Sequence, residues 1–184
     1  MDDDAQLTTK LRELIDREGI LDCLNRYTRG MDRLDRELAR SAYHDGAIDV
    51  HRDVVKTVDD FLDWAFAYHA DQKLHQHYMT NHTIELDGDT AHVETYYTFV
   101  GRYPDRETPL MVAGGRYLDR FERRAGRWAI TARVCTLEWL TRLESLQRGP
   151  AVDDDALTDG FTVARDRADV SYQRPLRVRA APAS

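Results

Sequence analysis

Apolar residues recur along 7–31 at spacings of three, four and seven: Leu7, Leu11, Leu14, Leu21, Leu24, Tyr27 and Met31. That is the period of an α-helix with one buried stripe, with Gly19 as a place where it kinks or divides. A second short helix is expected from Asp35, a good N-cap, to about residue 43, with Leu38, Ala42 and Tyr43 on its inner side. Thr57 followed by Val58, Asp59 and Asp60 reads as another start, a capping hydroxyl ahead of acidic residues. This helix should run over 58–69 and bury Phe61, Leu62, Ala65 and Phe66.

Beyond residue 74 the period changes to two. Strands are expected over 75–86 and 90–100, joined at Asp87-Gly88-Asp89, and over 110–123 and 127–139, joined at Arg124-Ala125-Gly126. Helices followed by a four-strand antiparallel meander make an α+β pattern, not βαβ. The sequence has no Gly-rich nucleotide loop and no GxSxG elbow. Periodicity fades after Trp139, and Gly149-Pro150 marks the end of the packed region. The chain therefore reads as one domain over 1–140 and a partly irregular C-terminal extension over 141–184, an arm over the domain or over a neighbouring subunit.

Composition narrows the class. The chain has 184 residues, 42% hydrophobic and 32% charged, with a formal net charge of −7, values of a soluble globular protein. The acidic balance argues against nucleic acid as a partner. The arginines from Arg116 to Arg133 read as a solvated sheet face. No apolar run approaches membrane-spanning length and the first residues are Met-Asp-Asp-Asp, so a cytoplasmic protein away from membranes is expected. Cys23 and Cys135 have no metal-ligand spacing and read as small buried hydrophobes.

Some polar residues fall where a core should be. Tyr27 lies on the helical stripe, so its hydroxyl needs a partner. Asp32 follows that stripe directly and suits a turn or cap as well as a site. His75, His77, Met79 and Asn81 share one strand face. His51 alternates with Asp49 and Asp53, opposite Ile48 and Val50, and either faces a cavity or sits on an exposed edge. Arg133 shares a face with Thr131, Cys135 and Leu137, opposite Ile130, Ala132 and Val134, and either snorkels to the rim or supplies a fixed positive charge. A metal site built on His75 and His77 with His51 or Glu85 is the weaker alternative, because the flanking residues of known HxH sites are missing. Trp64, Phe66, Tyr68, Tyr96 and Phe99 suit an apolar ring-bearing ligand, and Val93, Tyr97 and Phe99 share one parity that is expected to face outward.

Three segments carry a resemblance: Leu24-Asn25-Arg26-Tyr27 through Met31-Asp32, His77-Tyr78-Met79-Thr80-Asn81, and Gly115-Arg116-Tyr117 to Arg127-Trp128. Together they resemble SnoaL-like proteins of the nuclear transport factor 2-like superfamily, over residues 10 to 140. That group includes scytalone dehydratase, bile acid 7α-dehydratase and hexachlorocyclohexane dehydrochlorinase. The resemblance implies a cone-shaped, cystatin-like fold, N-terminal helices packed on a curved, mostly antiparallel sheet around a pocket. It also implies a lyase or isomerase without cofactor or metal, acting on a small cyclic apolar substrate. His77 matches the proton-abstracting histidine and Asp32 its aspartate. Tyr27 matches a pocket tyrosine, Arg133 an arginine of the dehydrochlorinase, and Leu137 stands at the bile acid enzyme's arginine. His51 falls near a tyrosine of the dehydratases. Catalytic His77, Asp32, Tyr27 and Arg133, with substrate-binding His51, Asn81, Trp64 and Tyr96, are the resulting expectation. A homodimer or homotrimer is expected as well. An aldol-type polyketide cyclase and a non-catalytic binding or scaffold domain are the alternatives.

Overall fold

The computed structural model describes residues 2–51, 54–104, 108–143 and 164–177. The chain divides into two compact units, Met1–Ser145 and Leu146–Ser184. The expected break at Gly149-Pro150 lies outside the described residues, as does Asp53.

Among the described residues the first unit has three α-helices and six strands. They are α1 (Asp2–Asp32), α2 (Arg36–Arg40), β1 (Tyr43–His51), β2 (Val54–Thr57), α3 (Val58–Ala70), β3 (Leu74–Asp87), β4 (Thr90–Arg102), β5 (Leu110–Arg124) and β6 (Arg127–Leu143). One sheet runs in the order β2-β1-β6-β5-β4-β3. The expected meander β3 to β6 is present, but β1 joins β6 in parallel and β2 hairpins back on β1, so the sheet is mixed. Periodicity misses the parallel pairing because β6 lies more than seventy residues from β1 in the sequence. The result is a curved, open mixed sheet packed by helices.

α1 is continuous and Gly19 does not divide it; a Cβ there would lie 3.1 Å from the Trp128 ring, so the glycine admits close packing. Only the C-terminal half of α1 is buried, through Ile20, Cys23, Leu24, Tyr27 and Met31. Leu7, Leu11 and Leu14 are exposed, at 56%, 49% and 61%, against the expected stripe. α2 is shorter than expected because Tyr43 is already in strand; Asp35 caps it, accepting from the Leu38 amide at 3.1 Å. Thr57 caps α3 in extended geometry, and Val58, Phe61, Leu62, Ala65 and His69 are its buried face, with Phe66 only partly covered. Phe61 and Leu62, exposed by 1% and 0%, each contribute about 1.5–3 kcal/mol by leaving water.

The β5–β6 hairpin closes with Ala125 at φ 51° and Gly126 at φ 76°, the two left-handed residues that a twisted tight turn demands. Irregularities in the ladder then decide which side chains face inward. In β3 the register slips at Asn81, which carries φ 38° as the unpaired residue of a β-bulge. In β6 it slips at Thr131, so Ile130 and Arg133 share the inner face, contrary to the simple alternation. In β4 no slip occurs, and Val93, Tyr97 and Phe99 are all buried. The expected outward face on those residues is therefore corrected: that parity is the core, and Tyr96 is on the outside.

The second unit is described over 164–177, where Val170–Tyr172 forms a single 3-10 turn. Asp169 organises it, accepting from the Ser171 and Ala164 amides at 2.9 and 2.8 Å. No helix among the described residues is long and apolar enough to cross a membrane.

Candidate active site

α1 ends where its backbone meets α2. A Cβ on Gly30 would fall 2.3 Å from the Ala39 nitrogen, so only glycine permits this approach. The chain then turns through Leu34 at φ 48°, which leaves Asp32 at the helix end facing β3. A carboxylate there gains nothing from the helix dipole and must be satisfied by other donors. β3 supplies them. The His77 backbone amide donates to both Asp32 oxygens, at 3.2 and 3.1 Å, and His77 Nδ1 donates to Oδ1 at 2.6 Å. With Nδ1–H committed to the carboxylate, Nε2 is the basic nitrogen of the neutral ring.

A histidine stack backs this pair. His75 Nε2 donates to the Met31 carbonyl at 2.9 Å, and its ring stacks on His69 at 4.1 Å. His69 in turn bonds Gln72 at 2.9 Å, and Phe99 lies 5.0 Å from the His77 ring. His75 and His77 thus turn to different partners. Among the described residues no group of three or more His, Cys, Asp or Glu side chains is gathered as a metal would require.

His77 lines a cavity of about 240 Å³. Its walls are mainly apolar and aromatic, with Phe61, Trp64 and Tyr68 from α3 and Met111, Tyr117 and Leu137 from the sheet. Mostly apolar walls with a few polar groups are the usual form of a small-molecule site. Polar side chains in the lining include His77, His69, Tyr27, Tyr97, Cys135 and His51. Tyr27 is 1% exposed and its ring meets that of Tyr117 edge to face at 5.9 Å; burial holds its ionisation well above the ordinary tyrosine value.

Under one wall lies a charged cluster. Arg133 is fully buried and donates through Nε and Nη2 to the two Asp119 oxygens, both at 2.7 Å. Its guanidinium lies in the corner formed by the Tyr27 and Tyr117 rings, 4.2 Å from each ring centre, and Nη1 has no hydrogen-bond partner. Burial works against its charge, but Asp119 and the surrounding hydroxyls hold its pKa well above the ordinary arginine value. Asp49, also fully buried, accepts from the Tyr43 hydroxyl at 2.6 Å and is hydrogen-bonded to His51 Nδ1. Burial opposes a charged His51, yet Asp49 and Cys135 outweigh it and raise the ring to about 9.

Of the residues expected from sequence, Asp32, His77, Tyr27, His51 and Trp64 are brought together, Asp32 through its contact to His77 and the other four in the cavity lining. Arg133 is not: it stands behind Tyr27 and Tyr117 with its fork taken by Asp119, and it does not line the cavity. Asn81 is exposed in the bulge, and Tyr96, 43% exposed, points to the outer face; neither lines the cavity. The arginine run is a solvated, neutralised face at Arg116, paired to Glu94 and Glu138, and at Arg124, paired to Glu122. Arg133 is the exception. Sequence reading missed His69, Asp119, Tyr117 and the pocket position of Cys135. His69 is four residues past Ala65 on the buried stripe of α3, and Asp119 alternates with Tyr117 and Phe121, so both signals were present in the spacing.

The model of the SnoaL-like domain family matches residues 12–134. No curated protein matches in sequence. Among solved structures, a hexachlorocyclohexane dehydrochlorinase, LinA type 2, is similar at TM-score 0.68 and 18% identity, over 78% of this chain and 99% of that one. A protein provisionally described as a scytalone dehydratase, from Novosphingobium aromaticivorans, is similar at TM-score 0.65 and 16% identity, over 75% and 97%. Protein Kfla4162 of Kribbella flavida is similar at 0.65 and 17%, over 70% and 95%. At these identities the likeness to the structures is one of fold, and the family match over most of the first unit adds the rest: the chain belongs to the SnoaL-like domain family, in the nuclear transport factor 2-like superfamily.

Proposed function

We propose that the protein is a lyase or isomerase that removes a proton from carbon in a small cyclic, apolar substrate, with His77 as the base and Asp32 as its orienting carboxylate. The observation that carries this reading is the 2.6 Å bond from His77 Nδ1 to Asp32 on a ring lining an apolar cavity. The free Nε2 lone pair accepts the proton from carbon, and the adjacent carboxylate stabilises the imidazolium that results. The structural relatives named for a dehydratase and a dehydrochlorinase support elimination as the outcome. Proton abstraction needs a base and an electrophile, both available from side chains, so the reading requires no redox group or metal.

The test does not need the natural substrate. Exchange of the α-protons of 2-tetralone in heavy water, followed by proton NMR, reads carbon-acid chemistry directly. The wild-type protein should accelerate exchange above buffer. His77→Gln and Asp32→Asn should each lower that acceleration by about 10²–10⁴-fold while circular dichroism stays unchanged. Wild-type exchange no faster than buffer, or variants within about twofold of wild type, would remove the base and leave a binding module.

A further inference from the structure

The cavity holds a second histidine–carboxylate pair that the proton-abstraction step does not use. His51, on β1, faces inward two residues after Asp49, and its ring stacks on Phe61 at 4.6 Å with Tyr117 at 6.1 Å. Nδ1 is committed to Asp49. Cys135, its register partner on β6, lines the same cavity. Sulfur is a weak acceptor, so an oxygen brought into the cavity would be the better partner for the Nε2–H of the charged ring.

Charge balance decides the state of this ring. Asp49 and Asp119 are both fully buried, and one guanidinium, Arg133, stands against the two of them. An isolated buried negative charge costs several kcal/mol, so the cluster is driven to hold one more proton. Burial also pushes the Asp119 carboxyl up, but its two bonds to Arg133 favour the ionised form. Tyr27 and Tyr117 are neutral hydroxyls pushed upward by burial, as is Tyr97 on β4, and α3 presents only the Phe61 and Trp64 rings. His51 is the remaining site: burial lowers it, but Asp49, with Cys135 beside it, outweighs burial and raises it to about 9.

We infer that Asp49 and His51 form an oxyanion-binding subsite: an imidazolium N–H, fixed by the Asp49 carboxylate, that takes the phenolate, enolate or similar anionic oxygen of a ring-bearing ligand. It deepens the lyase or isomerase reading, since it rests on the same cavity and there His51 would stabilise the oxygen that gains charge as His77 removes the proton. Asp49 acts through His51 and is a positioning residue. Arg133 and Asp119 set the charge that His51 balances and do not touch the ligand.

The probe is 4-nitrophenol, whose phenol and phenolate forms have distinct absorption bands, in buffer about one pH unit below its own ionisation. The wild-type protein should bind it as phenolate. His51→Gln should bind only the neutral phenol and lose about tenfold or more in affinity. His77→Gln and Asp32→Asn should keep the phenolate band, so failure of the base leaves this result standing and the two readings separate. Nitrogen NMR of the wild-type histidines supplies a second reading that needs no variant: the His51 ring should stay protonated through neutral pH. Absence of phenolate binding by the wild-type protein, a phenolate band that survives His51→Gln, or a His51 ring neutral at pH 7 overturns the inference.

Discussion

Removing the Asp119 carboxylate tests how the cluster behind the cavity is held. Both members of the Asp119–Arg133 pair are 0% exposed, and their two hydrogen bonds are 2.7 Å each. Asp119→Asn keeps the shape and deletes the charge, leaving a buried guanidinium whose Nη1 already lacks a partner. Breaking such a pair costs about 3–5 kcal/mol, a large part of the roughly 5–15 kcal/mol that holds a domain folded. At about 4 °C per kcal/mol for a unit of this size, the melting temperature should fall by about 12–20 °C. Replacing both partners, Asp119→Leu with Arg133→Met, should recover most of that loss, because no uncompensated charge remains. Recovery should stop about 1–2 kcal/mol short, since the contacts of the guanidinium with Tyr27 and Tyr117 are lost as well. Urea denaturation followed by circular dichroism measures all three proteins. A cost below about 1 kcal/mol for Asp119→Asn, or a double variant no more stable than the single one, would refute the reasoning.

Stability should depend on pH through His51. Its folded value of about 9 is raised from 6.5, so the stabilisation is fully present below about 6.5 and is lost as pH rises through about 9. The amount is about 3 kcal/mol, and His51→Gln should flatten urea midpoints across that window; a wild-type midpoint constant or rising there contradicts the assignment. His44 and His82 are lowered by burial, so their contribution is lost as pH falls and does not confound that range. Cys23, 0% exposed and raised by burial to about 12, should resist alkylation until the protein unfolds, whereas Cys135 should react in the native state and be shielded by any cavity ligand. Mass spectrometry after N-ethylmaleimide treatment distinguishes them, and equal labelling of both would count against the placement. Gly30→Ala should destabilise by about 1–3 kcal/mol in a thermal melt, because its methyl would overlap the Ala39 backbone; an unchanged melt would mean that α1 and α2 separate without cost.

Local information was enough for most elements and for the main pair. Capping residues at Asp35 and Thr57 and the change of period near residue 74 mark the helix starts and the onset of the sheet, because these depend on neighbours within one turn or one strand pair. Tyr27, Asp32 and His77 were visible as polar groups on or beside apolar faces, and the family motifs pointed to the same positions. What the sequence left open concerns long-range register. A β-bulge at Thr131 turns Arg133 inward, and its distant partner Asp119 then takes the positive charge that was expected at the rim or in the site. A second bulge puts Asn81 in solvent, and an unbroken β4 puts Tyr97 and Phe99 inside and Tyr96 outside. One residue of slip reverses every side chain beyond it, so facing cannot be read from alternation alone. The parallel pairing of β1 with β6 is the other decision of the tertiary structure. It sets His51 beside Cys135 and Asp49 beside Arg133, and so gathers two carboxylates, one guanidinium and one imidazole whose combined charge no single segment specifies.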